Sequence, residues 1–191
     1  QVGFRITSHS SPTSTVTYSG NTVNGANNGF QWIAGSNFVA EMPVVVSGNN
    51  LNGNLIAILL QSNGKALLTN NDFDDATDNT TDIQIQPGSV MTTGGGNQFA
   101  GENYYVENLS ATAINITADL FDQANKYRVA DRIYDALDNV ASGLVRFDNN
   151  NLYVSNPGTG LADEGGIEKS KLADAMARWN IDPDKANPVG C

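Results

Sequence analysis

The densest chemistry in the chain lies in one acidic stretch, Asn70-Asn71-Asp72-Phe73-Asp74-Asp75-Ala76-Thr77-Asp78-Asn79-Thr80-Thr81-Asp82. A hard cation such as Ca²⁺ takes oxygen ligands from alternate positions of a loop, and Asp72, Asp74 and Asp78 have part of that spacing. Position 76 supplies no oxygen side chain, no glycine follows it and no glutamate closes the loop. The pattern therefore fits a solvated acidic loop as well as a weak Ca²⁺ site. Other reactive residues stand alone. His9 is the single histidine, in a serine-rich stretch without a nucleophile or an orienting acid. Cys191 is the single cysteine, so it forms no internal disulfide; it suits a tail residue or an intermolecular crosslink. Gly158-Thr159-Gly160 lacks the strand and helix context of a phosphate loop. Asp131, Asp135 and Asp138 alternate with Arg128 and Arg132, which reads as a salt-bridged surface rather than a hydrolytic carboxylate pair. The expectation is a protein that is not an enzyme and has no cofactor, Ca²⁺ apart.

The elements that would carry these residues read as strands. From Ile83 to Leu120, Ile83 and Ile85 alternate with Gln84 and Gln86, Pro87-Gly88 turns the chain, and Tyr104/Val106 and Ile114/Ile116 repeat the alternation. Further strands are expected at 15–18, from Phe30 through Trp32, at 38–46 with Pro43 marking an edge or bulge, and at 55–60 and 66–68. Asn24-Gly25, Asn28-Gly29 and Asn63-Gly64 read as turns. At the N-terminus Val2, Phe4 and Ile6 share one face of a strand, followed by a polar hinge to residue 14. Toward the C-terminus the period shifts to three and four, which predicts amphipathic helices at about 121–142 and 167–179. Between them, 144–147 and 152–154 look like a hairpin. No repeat of fixed period emerges. The predicted fold is mainly β: an antiparallel β-sandwich, jelly-roll or immunoglobulin-like, with two C-terminal helices. Residues 1–14 form the N-terminal strand and hinge, and residues 15–191 the domain.

Composition narrows the partners. The 191 residues carry a net charge of −10 with a pI near 4.3, and only 16% are charged. That sign repels nucleic-acid phosphates and anionic membrane surfaces. No apolar run approaches the ~20 residues a spanning helix needs, so no membrane insertion is expected. A surface of Asn, Thr, Ser and Gly is the kind found on extracellular and virion β proteins. The chain begins at Gln1 without a signal-peptide pattern, which suggests a leader already removed or a boundary within a longer chain. Acceptor sequons occur at Asn79, Asn108 and Asn115.

The segment Ile85-Gln86-Pro87-Gly88-Ser89, followed by Tyr104-Tyr105-Val106-Glu107-Asn108 and the alternation through Thr117, resembles the TasA/camelysin family of biofilm-matrix fibre proteins. The resemblance implies a secreted jelly-roll-like subunit whose N-terminal strand completes the sheet of the next copy; Val2, Phe4 and Ile6 would be its assembly residues. The Gly94–Gly96 insertion and the C-terminal helices depart from that pattern. The functional expectation is a structural subunit of an extracellular filament or pilus, with copies of itself as partner. The alternatives are a virion capsid or decoration subunit, and a carbohydrate-binding adhesin using Trp32, Tyr104 or Tyr105 as stacking platforms.

Overall fold

The computed structural model describes residues 1–7, 15–33, 43–75, 77–149 and 151–153, and the short strand 187–189. The chain winds as a coil with three strand-bearing sides. The first turn holds β1 (Val2–Ile6), β2 (Thr17–Ser19) and β3 (Thr22–Asn24); the second holds β4 (Asn28–Ile33), β5 (Val44–Ser47) and β6 (Asn50–Asn52). β7 (Ile56–Gln61) and β8 (Lys65–Thr69) form the third with a single bridge residue, Asp72, on the third side. β9 (Thr81–Ile85), β10 (Val90–Gly95) and β11 (Gln98–Phe99) form the fourth, and β12 (Tyr104–Asn108), β13 (Ile114–Asn115) and β14 (Leu120–Phe121) the fifth. The sixth begins with a one-and-a-half-turn helix, α1 (Lys126–Asp131), and continues through β15 (Ile133–Tyr134) and β16 (Val145–Arg146). β17 (Asn151–Tyr153) then pairs with β18 (Asn187–Val189).

Every strand pairs in parallel with the strand one coil away. The first face is a six-stranded sheet in the order β1-β4-β7-β9-β12-β15, and the second is β2-β5-β8-β10, beside which lies the pair β13-β16. The third face joins β3 to β6 and β11 to β14, with Asp72 bridging Asn50 and Gln98. This is a parallel β-solenoid, and it overturns the antiparallel sandwich and the jelly-roll expectation that came with the family resemblance. Period-two alternation states which side chains point inward; it is silent on strand direction. The glycine-bearing bends change the chain's heading at corners of the coil instead of reversing it. Each strand therefore pairs with residues 22 to 36 positions away rather than with its neighbour across a hairpin.

The inward residues stack in columns. On the first face Phe30, Ile58, Ile83, Val106 and Ile133 occupy successive levels, and Trp32, Leu60 and Ile85 run beside them. Val46 stands level with Leu68 on the second face. These residues are buried. On the third side Phe73, Phe99 and Phe121 form a stack with centroid separations of 5.4 and 5.5 Å, continued by Phe147 at 6.1 Å. Offset aromatic stacks of this kind add to the burial free energy of each ring.

Further expectations are corrected. The helix predicted over 121–142 is confined to Lys126–Asp131. Its N-cap is Asn125, whose side chain accepts from Tyr127 N–H. A helix so short has little stability of its own. Beyond it, Ile133 joins the first-face sheet opposite Val106, and Tyr105 N–H donates to the Arg132 carbonyl at 2.7 Å. Sheet pairing thus takes the chain out of the helix. The expected hairpin of 144–147 with 152–154 is absent: Val145–Arg146 pairs with Ile114–Asn115, and Asn151–Tyr153 with Asn187–Val189. The helix expected at 167–179 and the hinge at 8–14 lie outside the described residues.

Candidate functional surfaces

The corners of the coil are held from inside by side-chain amides. Where the second face turns into the third, Asn21, Asn49, Asn71 and Asn97 stand one above another. Asn21 Nδ2 donates to Asn49 Oδ1 at 3.1 Å, Asn49 Nδ2 to Asn71 Oδ1 at 2.9 Å, and Asn71 Nδ2 to Asn97 Oδ1 at 2.9 Å. Asn97 Nδ2 donates to Asp119 Oδ1 at 2.8 Å, and the ladder stops there. Each amide also takes a main-chain partner, as Asn71 Nδ2 does on the Val46 carbonyl at 2.8 Å. A second ladder occupies the corner from the third face to the first. Ala26 N–H donates to Asn54 Oδ1, Asn54 Nδ2 to Asn79 Oδ1, and Asn79 Nδ2 to Asp82 Oδ1. Asp82 Oδ2 accepts from the main-chain N–H groups of Ala100 and Gly101 at 2.9 and 2.8 Å. Both ladders run in one direction and end on an aspartate whose oxygens accept from the last amide. Sequence reasoning missed these ladders. Their signal is an asparagine followed two positions later by an apolar residue, as in Asn49-Asn50-Leu51, Asn71-Asp72-Phe73 and Asn97-Gln98-Phe99, at separations of 22 and 26.

Burial shapes the titration of these end groups. Burial pushes the Asp82 carboxyl up to about 8, against the pull of Asn79 and the two main-chain donors. Burial raises Asp119 as well, opposed by Asn97 and Thr93. A third polar cluster sits where the fifth coil meets the sixth. The Tyr105 hydroxyl donates to Asp122, and Arg132 Nη1 lies 3.3 Å from both that hydroxyl and Asp122 Oδ2. Burial, and then the Asp122 hydrogen bond, push the Tyr105 hydroxyl far above its ordinary value. Tyr105 is fully buried, whereas Asp122 is exposed and Arg132 half-buried, so the cluster ties two coils together with its charged pair at the surface.

The outside of the third face carries a groove of about 350 Å³ lined by Thr22, Asn24, Asn50, Asn52, Asp75 and Thr77, with Gly25 and Gly53 at its corner. These glycines have φ of +67° and +63°, and Gly25 N–H donates to the Gly53 carbonyl. A Cβ at Gly25 would meet nothing within 4 Å, so the missing side chain leaves the groove open there. Along its wall Asn50 Nδ2 donates to Asp75 Oδ2 at 3.0 Å, and Asn52 Nδ2 to Asn50 Oδ1 at 2.5 Å.

The residues singled out in the sequence fall in different places. Asp72 is a bridge residue whose Oδ1 accepts from Asp74 N–H at 2.9 Å. Asp74 and Asp78 are exposed, and their carboxyls are raised by burial first and then by neighbouring carboxylates, Asp122 foremost. Among the described residues no three His, Cys, Asp or Glu are grouped to hold a metal ion. Asn79 and Asn108 are fully buried, Asn79 in its ladder and Asn108 donating to the Thr112 and Gly143 carbonyls. A glycan on either would displace those contacts. Asn115 is exposed. Trp32 and Tyr105 are buried and present no stacking platform, and Tyr104 packs edge-on against Tyr134. Val2, Phe4 and Ile6 lie on β1, paired in parallel with β4 of their own chain. Ile6 is buried, whereas Phe4 is 38% exposed while stacking on Tyr18 and Phe30.

Comparison with known proteins adds little to this geometry. No family model matches the chain, and no solved structure matches it. A "Pyruvate dehydrogenase E1 component" of Azotobacter vinelandii is 55% identical over 31 residues, 16% of this chain and 69% of that sequence. A similarity of that length speaks for one short segment. It leaves most of the chain unmatched and carries no activity to the solenoid.

Proposed function

We propose that the protein is a structural, extracellular solenoid subunit that associates head to tail through its end coils. The observation that supports this reading is the place of β1. It is the outermost strand of the six-stranded sheet, and an outermost strand has one row of backbone groups with no sheet partner. Phe4 on that strand leaves more than a third of its surface in solvent.

Among the described residues β15 stands at the other end of that sheet, and the chain continues past it to β18. A copy that sets its C-terminal coil against β1 continues the parallel stacking. The outward row of the first face is Arg5, Gln31, Leu59, Gln84, Glu107 and Tyr134. Arg5 is a cation on the outermost strand of a chain of net charge −10, so it suits an acidic partner surface. A contact between two different ends is heterologous and does not close on itself, which builds a filament. The low charge content lowers the desolvation cost of such packing. In this arrangement the N-terminal strand stays in its own sheet and presents its edge; it is not exchanged.

The test is sedimentation velocity and negative-stain microscopy of the full chain beside Phe4→Asp and Arg5→Glu. The expected result is concentration-dependent association ending in filaments for the parent, and monomers for the variants. A parent that stays monomeric at the highest soluble concentration overturns the proposal. A closed dimer overturns the head-to-tail geometry. Thermal melting of the variants separates lost association from lost folding.

A further inference from the structure

The geometry points to Asn24 as a site of spontaneous backbone modification: it cyclises with Gly25 and becomes aspartate or isoaspartate, while the fold shields the other Asn-Gly pairs. The chain holds four such pairs, Asn24-Gly25, Asn28-Gly29, Asn52-Gly53 and Asn63-Gly64. The pair is open to this chemistry because glycine has no Cβ to crowd its main-chain nitrogen. Asparagine is accordingly among the thermolabile residues. The sequence gives the four pairs equal standing; the coil separates them.

In the reaction the Gly25 nitrogen attacks Asn24 Cγ. An N–Cγ bond forms, the Gly25 nitrogen gives up its proton, and the side-chain nitrogen leaves as ammonia. The product is a cyclic imide, and water then opens it at one of its two carbonyls. Cleaving the bond to Cγ restores the ordinary main chain with an aspartate. Cleaving the bond to the main-chain carbonyl carbon leaves the chain running through the side chain as isoaspartate. The balance is asparagine and water in, the acid and ammonia out. Ring closure needs an accessible carboxamide, a glycine N–H released from its hydrogen bond, and room for the backbone to rotate.

Three pairs lack these conditions. Asn28-Gly29 lies inside β4, between β1 and β7, and Gly29 is buried. A Cβ at Gly29 would fall 2.8 Å from the Ala57 carbonyl oxygen, so the backbone there is closely packed. Asn52 is 5% exposed, and Gly53 N–H donates to the Thr77 carbonyl at 2.8 Å. Asn63 is exposed, but Gly64 is buried against the Trp32 indole and its N–H donates to the Gln61 carbonyl at 3.1 Å. Asn63 Oδ1 in turn lies against Gly88 of the next coil.

Asn24-Gly25 differs on each count. Both residues are exposed, and they border the open groove of the third face, so solvent reaches the pair. A Cβ at Gly25 would meet nothing within 4 Å, which leaves room for rotation. The Gly25 N–H bond to the Gly53 carbonyl is 3.2 Å long, at the weak end for such bonds. β3 ends at Asn24 and pairs with β6 alone, and a strand at the end of a stack opens at little cost. Isoaspartate would lengthen the main chain at the Asn24–Asn52 pairing, and either product adds a negative charge to the groove that Asp75 lines. The chemistry proceeds in the single chain and does not depend on assembly.

The test is peptide mapping by mass spectrometry of the full chain held at mildly alkaline pH, folded in buffer and unfolded in guanidinium chloride. The readout is the mass gain of an amide turned acid, located at each asparagine by fragmentation. Each pair's rate in the folded chain is divided by its rate in denaturant, which removes the effect of neighbouring sequence. The expected ratio for Asn24 exceeds those for Asn28, Asn52 and Asn63 by roughly tenfold or more. A ratio for Asn24 as low as that for Asn52, or one for any other pair as high as that for Asn24, would overturn the proposal.

Discussion

Asn97 Nδ2 lies 2.8 Å from Asp119 Oδ1, and this contact ends a column of asparagines whose amides all donate toward the C-terminal coils. The aligned amide dipoles turn their positive ends toward Asp119, so a carboxylate there is favoured as an anion is at a helix N-terminus. Asp119 Oδ1 also accepts from Asn97 N–H at 2.9 Å, and its two oxygens accept from the Thr93 hydroxyl. Order along the column matters: a donor must precede the acceptor.

Asn97→Asp reverses that order by setting two acceptors face to face. It is expected to cost about 3 kcal/mol or more, since Asn71 keeps its acceptor while Asn97's own donations to Asp119, Thr93 and the Leu68 carbonyl are lost and two like charges meet. Sharing of one proton between the carboxyls should restore part of the loss in acid. Asp119→Asn, which retains an acceptor for Asn97, is expected to cost about 1 kcal/mol. Urea unfolding of both variants at pH 5 and pH 8 measures the contrast; equal losses would mean that direction along the ladder is unimportant.

Asp82 ends the second ladder, and burial pushes its carboxyl from the ordinary 3.8 up to about 8. The folded state therefore binds a proton that the unfolded chain has released between those values. Stability is expected to be greatest on the acid side of the window and to fall as pH rises from about 4 to about 8, at up to about 1.4 kcal/mol per unit. Burial raises Asp119 in the same direction. Chemical denaturation midpoints measured across this range should decline in the parent and flatten in Asp82→Asn. A parent that gains stability with rising pH would contradict this.

Gly64 lies against the indole of Trp32. A Cβ there would fall 2.4 Å from Trp32 Cδ1, and the ring is fully enclosed. Gly64→Ala is expected to destabilise by about 1–3 kcal/mol through overpacking. Gly25→Ala meets no atom within 4 Å but inherits a φ of +67°, so it should cost about 1–2 kcal/mol from backbone strain alone. Quenching or shift of the Trp32 fluorescence should accompany the first change only.

Phe99 sits in the middle of the third-side stack, between Phe73 and Phe121. Phe99→Ala removes a buried ring flanked on both sides and is expected to cost about 3–5 kcal/mol. Val140→Ala removes a side chain that is 73% exposed and should lie within about 0.5 kcal/mol of the parent. Calorimetric melting of the pair checks the assignment of core and surface.

Much of the local structure was legible in the chain. The alternation of Ile83, Ile85 and Val106 marked strands that do form, as did the runs through Phe30–Trp32 and 55–60. The coil itself was harder to see, because the ladder asparagines recur at separations of 28, 22 and 26, and their terminal Asp119 follows at 22, rather than at one period. Corner segments of different length are accommodated outside the strands, so the pairing stays in register while the spacing drifts. The helical periodicity after Phe121 misled for the opposite reason. Val129, Ala130 and Ile133 are all buried, as a helix face would be, yet Ile133 reaches the core from a strand.

The chain by itself determined that this is a β protein with a substantial apolar core, an acidic and sparsely charged surface, and glycine-marked bends. Those properties follow from side-chain chemistry and local backbone preference, which act over a few residues. Only the tertiary structure decided strand direction, the burial of Asn79 and Asn108, the stacking of amides into ladders and the gathering of Thr22, Asn50 and Asp75 around one groove. Each of these joins residues a full coil or more apart, and such contacts depend on how the bends add up around the coil, a sum that no local pattern contains.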